Sequence, residues 1–258
     1  MVIDFHTHIL PKSFHEKHHI LSNRDQTFRE LFSQKNSKMI TAEKLIDSMD
    51  RNEIAKSVVM GYGWCDLETA KEANNYLLEA AQKFPKRLIP FCSVNSEWGD
   101  KGLDEIVRCV SGGAKGIGEI HASNQGIDLA TSLKLDTLMT LLIANRLPLL
   151  IHGSEPVGHL YPGKGHTNPQ KLLKFIERFP SATIICAHWG GGLPFYGLMP
   201  EVKDKLINVY FDTAASPFLY SPKIYNIVSE TIGLNHVLFG SDSPLITAER
   251  VMAQIRAT

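Results

Sequence analysis

The chain has 258 residues, 27 basic against 27 acidic side chains, and a formal net charge of +0. With 43% hydrophobic residues it can bury a full core, while the balanced charge offers no basic field for gripping a phosphate backbone. No apolar run nears bilayer-spanning length, Asp4 interrupts any signal-peptide core, and the four cysteines (Cys65, Cys92, Cys109, Cys186) lack CxxC spacing and read as free thiols. These features point to a cytoplasmic protein acting on a small molecule, with neither nucleic acid nor membrane as partner and a homo-oligomer left open.

Short apolar or β-branched runs predict strands at Val2 to His8, Ser57 to Gly61, Leu88 to Val94, Ala114 to Ile120, Pro148 to His152, Thr183 to His188, Asn208 to Asp212 and His236 to Gly240. Between them the helical patterns run from Glu68 to Phe84, Leu103 to Ser111, Thr131 to Asn145 and Pro169 to Phe179, the last capped by Asn168 with Pro169 in its first turn. Ser221-Pro222 opens a further helix that Gly233 closes, and a final one starts near Thr247. Strand alternating with helix eight times predicts an α/β fold, a single (β/α)8 TIM barrel over residues 1–258. The stretch of about 9–56 is too long for one crossover; Thr27-x-x-Glu30 and Thr41 mark helix starts in it, so a helical insertion between strands 1 and 2 should fold over the barrel mouth.

The chemistry-bearing residues cluster at strand ends. Side chains two apart on a strand point the same way, so His6 and His8 can grip one ion together. Glu119 ends strand 4, His152 strand 5 and His188 strand 6, while Asp242 follows strand 8. In a barrel of this kind these ends open on the face where active sites are built. Singly, Glu119 reads as a helix-entry carboxylate, His152 as a core histidine and Asp242 as a capping residue; together on one rim they read as one divalent metal site. Imidazole and carboxylate suit zinc first, with manganese, iron or nickel as alternatives, and the absence of cysteine argues against a structural thiolate site.

Four motifs carry a resemblance: Asp4-Phe5-His6-Thr7-His8, Leu150-Ile151-His152, Ala187-His188-Trp189-Gly190-Gly191 and Phe239-Gly240-Ser241-Asp242-Ser243-Pro244. Over essentially its whole length the chain resembles the amidohydrolase-related branch of the amidohydrolase superfamily. The resemblance implies that His6, His8, His152 and Asp242 hold metal, with His188 either a ligand of a second ion or a polariser of substrate. Gly116-Ile117-Gly118-Glu119-Ile120 is similar to the Gly-Glu-Ile strand of TatD-type nucleases and departs from the related decarboxylases, which lack this carboxylate and use one ion. Glu119 is thus either a bridge between two ions or a partner that orients a histidine.

The expected chemistry is attack by metal-activated water, with Asp242 as proton shuttle and His188 holding the oxygen that gains charge. The loop after strand 5, Gly153 to His166, supplies the specificity candidates Glu155, His159, Tyr161 and Lys164; Trp189 is a candidate pocket wall and His121 a substrate contact. His15, His18 and His19 read as surface residues of the insertion, and His236 lies at the opposite, stability face. Hydrolysis of a small-molecule amide, ester or lactone is the leading reading. Decarboxylation of an unsaturated or aromatic acid, TatD-like nuclease action and a non-catalytic metal-binding role are the alternatives.

Overall fold

The computed structural model describes residues 1–34 and 37–258. Its eight strands are β1 (Val2–His8), β2 (Ile54–Met60), β3 (Leu88–Cys92), β4 (Gly116–Ile120), β5 (Leu149–Ile151), β6 (Ile184–Cys186), β7 (Val209–Asp212) and β8 (Val237–Leu238). They pair in parallel in sequence order, β1 to β8. The two ends of the sheet meet: Phe5 N donates to Phe239 O (2.7 Å), His8 N donates to Ser243 O (2.7 Å), and Thr7 bridges Ser243. Among the described residues no helix is long and apolar enough to cross a membrane.

Alternation along each strand explains why the strands read as unbroken apolar runs. Leu149 and Ile151 pack outward with Leu138 and Phe175 of the surrounding helices, while Leu150 points inward beside Val58, Met60, Phe91 and Ile185. By the same parity His152 continues the inward row. Strand β4 breaks the pattern. Ile117 and Ile120, three residues apart, both pack outward, and the register shifts between them, turning Glu119 toward the barrel axis.

The stretch between β1 and β2 forms α1 (Lys12–Glu16), α2 (His18–Arg24), α3 (Gln26–Leu31) and α4 (Ala42–Arg51). Thr41 is the N-cap of α4 as expected, but Asp25, not Thr27, caps α3. The Thr27 hydroxyl instead donates to Gly63 O (2.6 Å), and Glu30 accepts from Asn124 (2.9 Å), so the expected capping box is spent on joining the insertion to the barrel loops. Asp25 is the main joint: fully buried, it accepts from Phe28 N, Cys65 N and Asp66 N, each at 2.8 Å. Phe14, Leu21 and Phe28 of the insertion pack in one apolar cluster with Trp64 of the loop after β2.

The remaining helices are α5 (Leu67–Lys83), α6 (Asp100–Ser111), α7 (Ala122–Gln125), α8 (Leu133–Ala144), α9 (Pro169–Arg178), α10 (Pro200–Lys203), α11 (Ser216–Leu219), α12 (Ile224–Ile232) and α13 (Ala248–Arg256). Asn168 caps α9 through Lys171 N, as its sequence predicts, and α12 begins at Ile224 rather than beside Pro222. Strand β6, expected to reach His188, stops at Cys186 because the chain turns there. His188, Trp189 and the three glycines after them all adopt positive φ (55°, 57°, 54°, 61° and 95°), a left-handed turn that precedes the 3-10 turns ending at Leu198.

Replacing Asp25 with Ala should orphan three backbone N–H groups and lower unfolding free energy by about 2–4 kcal/mol. Urea denaturation reads the loss directly. A change below about 0.5 kcal/mol, the range of an ordinary surface substitution, would show that the joint is elsewhere.

Candidate metal centre

Two clusters of ligand-type atoms meet at Glu119: His6, His8 and Glu119 form one, and Glu119, His152 and His188 the other. In the first, His6 Nε2 and His8 Nε2 face each other at 3.1 Å. Their other nitrogens are committed, since His6 Nδ1–H donates to Asp212 Oδ2 (2.8 Å) and His8 Nδ1–H donates to Gly61 O (3.1 Å). With both rings neutral, as ligands of an ion would be, two lone pairs aim at one point. Glu119 Oε2 stands 3.8 Å from both nitrogens, and Asp242 Oδ1 stands 3.7 and 3.4 Å from His6 and His8.

The second cluster repeats the arrangement. His152 Nε2–H donates to the Lys164 carbonyl (3.2 Å), and its Nδ1 hydrogen-bonds Glu119 Oε1 at 2.8 Å, donating a proton that a bound ion would displace. His188 Nδ1–H donates to Ala214 O (3.3 Å) and its Nε2 faces the same Oε1 at 3.6 Å. Acceptor facing acceptor in a buried space requires a proton or a metal ion between them. Ligand atoms about 2.1 Å from one ion are about 3.0–3.4 Å apart at octahedral or tetrahedral angles, close to the spacings observed. The residues present fit a divalent metal on each side of Glu119.

Electrostatics without metal follow the same constraint. Burial opposes charge on His6, but the Asp212 carboxylate, with Glu119 and Asp242, outweighs it and pushes the imidazole up to about 10. His188 is likewise buried, and Glu119 with Asp242 carries it up to about 9. Burial alone would raise Glu119; the imidazoles of His152 and His188 overcome it and hold the carboxyl well below the usual range. Asp242 is lowered in the same way, burial being outweighed by His8, His6 and His188.

Backbone strain accompanies these positions. His188 and Asp242 both lie at positive φ, 55° and 70°, which non-glycine residues rarely adopt. Gly191 (φ 61°) lets the chain after His188 press against the next loop, where a Cβ would land on the Ser154 carbonyl. Gly240 sits so close to His6 that a side chain there would meet the His6 Cβ at 2.9 Å.

A cavity of about 470 Å³ opens over the centre, lined by His8, Glu119, His152, His188 and Asp242 at its floor. Insertion residues Thr27, Leu31, Phe32 and Lys38 form part of its wall, so the insertion does cover the mouth. Of the expected substrate contacts, His121, His159 and Tyr161 line the cavity. His121 stacks on His152 at 4.3 Å and donates through Nε2 to Gly163 O (2.7 Å).

Three candidates lie elsewhere, for identifiable reasons. Trp189 is fully buried in the helix-facing core with Nε1–H donating to Ser216 Oγ (2.6 Å), so it braces the turn and forms no cavity wall. Lys164 turns its ammonium away, onto the carbonyls of Val157 and His159. Glu155 is half-buried and outside the cavity lining, and its charge raises the hydroxyls of Tyr161 and Tyr220 beyond what burial does.

Two contributors lie outside the expected ligand set. Asp212, named from sequence only as the end of strand 7, joins both clusters: Oδ2 accepts from His6, and Oδ1 accepts from the backbone of His188 (2.9 Å) and Ala214 (3.1 Å). Its place at the end of β7 was the available signal. Tyr62 stacks on His8 (4.0 Å, 10°) and lines the cavity. An aromatic two residues past the end of β2 could have been found by the same strand-end rule.

The raised imidazoles fix a pH dependence. Stability from protonated His6 and His188 is fully present below about 6.5, the ordinary imidazole value, and is lost as pH rises through about 9 and then about 10. Melting temperatures of chelator-treated protein should therefore fall between about pH 7 and 10, and fall less after zinc is restored, because a bound ion supplies the departing charge. A metal-free profile that is flat or rising across this window would contradict the assignment.

No curated protein sequence matches the chain. Among solved structures, a 5-carboxyvanillate decarboxylase from Sphingomonas paucimobilis superposes with a TM-score of 0.78 at 14% identity, covering 99% of this chain and 92% of that one. A 5-carboxyvanillate decarboxylase from Novosphingobium aromaticivorans, with bound manganese and 3-methoxy-4-hydroxy-5-nitrobenzoic acid, gives 0.79 at 21% identity over 98% and 90% of the two chains. The 2,6-dihydroxybenzoate decarboxylase from Rhizobium gives 0.73 at 15% over 100% and 92%. At these identities the likeness shows a shared barrel. The model of the Amidohydrolase family matches residues 3–257, and with that match the chain belongs to the amidohydrolase family of metal-dependent enzymes.

Proposed function

We propose that this protein is a two-metal hydrolase of a small-molecule amide, ester or lactone, with zinc as the ion. The observation that carries the reading is the Glu119 carboxylate, whose Oε2 faces His6 and His8 while its Oε1 faces His152 and His188. A carboxylate so placed would serve two ions at once, which a one-ion centre does not need. Divalent ions in this donor set supply Lewis acidity and bring the ionisation of water within reach of neutral pH.

The chain's own groups supply the rest. Asp242, ionised and lining the cavity, is placed to take the proton of the attacking water and return it to the leaving group. His188, also at the cavity floor, completes the donor set of the second ion with Glu119 and His152, and so bears on the oxygen that gains charge only through the ion it would hold. Tyr62, Phe32, Tyr161 and Phe218 wall the cavity, favouring a substrate with an aromatic or otherwise apolar body.

Decarboxylation of an aromatic acid is the second reading, favoured by that aromatic wall and by the activities named for the structural neighbours. The two readings separate by product and by metal count. Glu119→Gln should lower bound zinc from two ions per chain toward one without loss of fold, since an amide is a poor bridging ligand; equal single-ion content in wild type and variant would exclude the bridge.

Asp242→Asn tests the proton transfer, which is needed only as the transition state forms. The variant should keep its fold and most of its metal while kcat falls about 100-fold or more, with a smaller change in KM. Screening amide, ester and lactone panels for hydrolysis beside aromatic acids for carbon dioxide release identifies the substrate for this comparison. A near wild-type rate in the variant would place the shuttle elsewhere.

A further inference from the structure

We propose that Lys164 is a positioning residue, whose ammonium clasps its own loop so that the loop backbone fixes the ring of His152. This inference rests on the reading of His152 as an ion ligand. Lys164 is 9% exposed. Its Nζ donates to Val157 O (2.8 Å) and His159 O (3.0 Å) and lies 5.8 Å from the centre of the Tyr161 ring, within reach of a cation–π contact. These contacts come from within the loop Gly153 to His166, which contains no helix or strand. A buried ammonium held by neutral carbonyls is therefore what folds the segment onto itself.

The backbone at the base of that clasp faces the metal centre. The Lys164 carbonyl accepts from His152 Nε2–H (3.2 Å) and from the Ser154 hydroxyl, and the neighbouring Gly163 carbonyl accepts from His121 Nε2–H. His121 and His152 are the stacked pair, so two adjacent carbonyls orient both rings. Fixing the proton on His152 Nε2 leaves Nδ1, which donates to Glu119 Oε1 in this structure, as the nitrogen that would give up its proton and turn its lone pair to an ion. The side chain acts at a distance: it holds the loop, the loop holds the carbonyl, and the carbonyl selects the tautomer.

The test compares wild type, Lys164→Met and Lys164→Arg, with folding verified by circular dichroism. In metal-free protein, proton NMR follows solvent exchange of the His152 Nε2–H, assigned by its absence in His152→Gln. Lys164→Met should speed this exchange about tenfold or more, the factor that one or two hydrogen bonds represent, and Lys164→Arg should restore most of the protection. Chelator competition then gives the zinc dissociation constants. The Met variant should lose about 10–100-fold at one of two sites, the range for a lost partner behind a ligand, and Arg should recover it.

Unchanged exchange in Lys164→Met would overturn the proposal, as would faster exchange with wild-type zinc affinity at both sites. Wild-type protein that takes up no zinc would instead refute the metal reading, and the exchange comparison alone then decides whether Lys164 orients His152.

Discussion

A buried carboxylate surrounded by imidazoles sets the terms for the rest of the molecule. Glu119 is 5% exposed, and an anion so far from water persists only beside compensating positive charge. The four histidines around it are each tied by their far nitrogen, to Asp212, Gly61 O, Lys164 O and Ala214 O. That outer ring of acceptors decides which nitrogen of each ring carries a proton, and so directs four lone pairs inward. Protons fill the need when metal is absent, which is why His6 is carried up to about 10 and His188 up to about 9.

The barrel meets this demand with local departures from ideal geometry. The register shift in β4 turns Glu119 inward where regular alternation would have sent it among the helices. His188 and Asp242 sit at positive φ, held there by Asp212, which accepts from His188 N, and by the pairing of Asp242 N with His6 O (2.9 Å). Strain of this kind, about 1–3 kcal/mol per residue, survives only where surrounding contacts over-determine it. The insertion contributes the outer wall, anchored by the two bonds that Asp25 accepts from Cys65 N and Asp66 N in the loop after β2.

Much of this was legible in the sequence because strand periodicity and the strand-end rule are local signals. Eight strands, the helical insertion, and the convergence of His6, His8, Glu119, His152, His188 and Asp242 follow from them. What escaped depends on contacts between distant segments. Thr27 has the spacing of a cap, yet its hydroxyl is drawn to Gly63 O, 36 residues on. Lys164 and Trp189 have the composition of pocket residues, but the one folds its loop and the other braces a turn through Ser216. Asp212 was visible as a strand-end carboxylate, and only the paired hydrogen bonds to His6 and His188 reveal it as the group that joins the two clusters.

Anomalous X-ray scattering at the zinc edge, on crystals of zinc-loaded protein, tests the central claim most directly. Two peaks flanking the Glu119 carboxylate are predicted, one among His6, His8 and Asp242 and the other between His152 and His188. A single peak, with Glu119 hydrogen-bonded to a histidine and contacting no ion, would contradict the account.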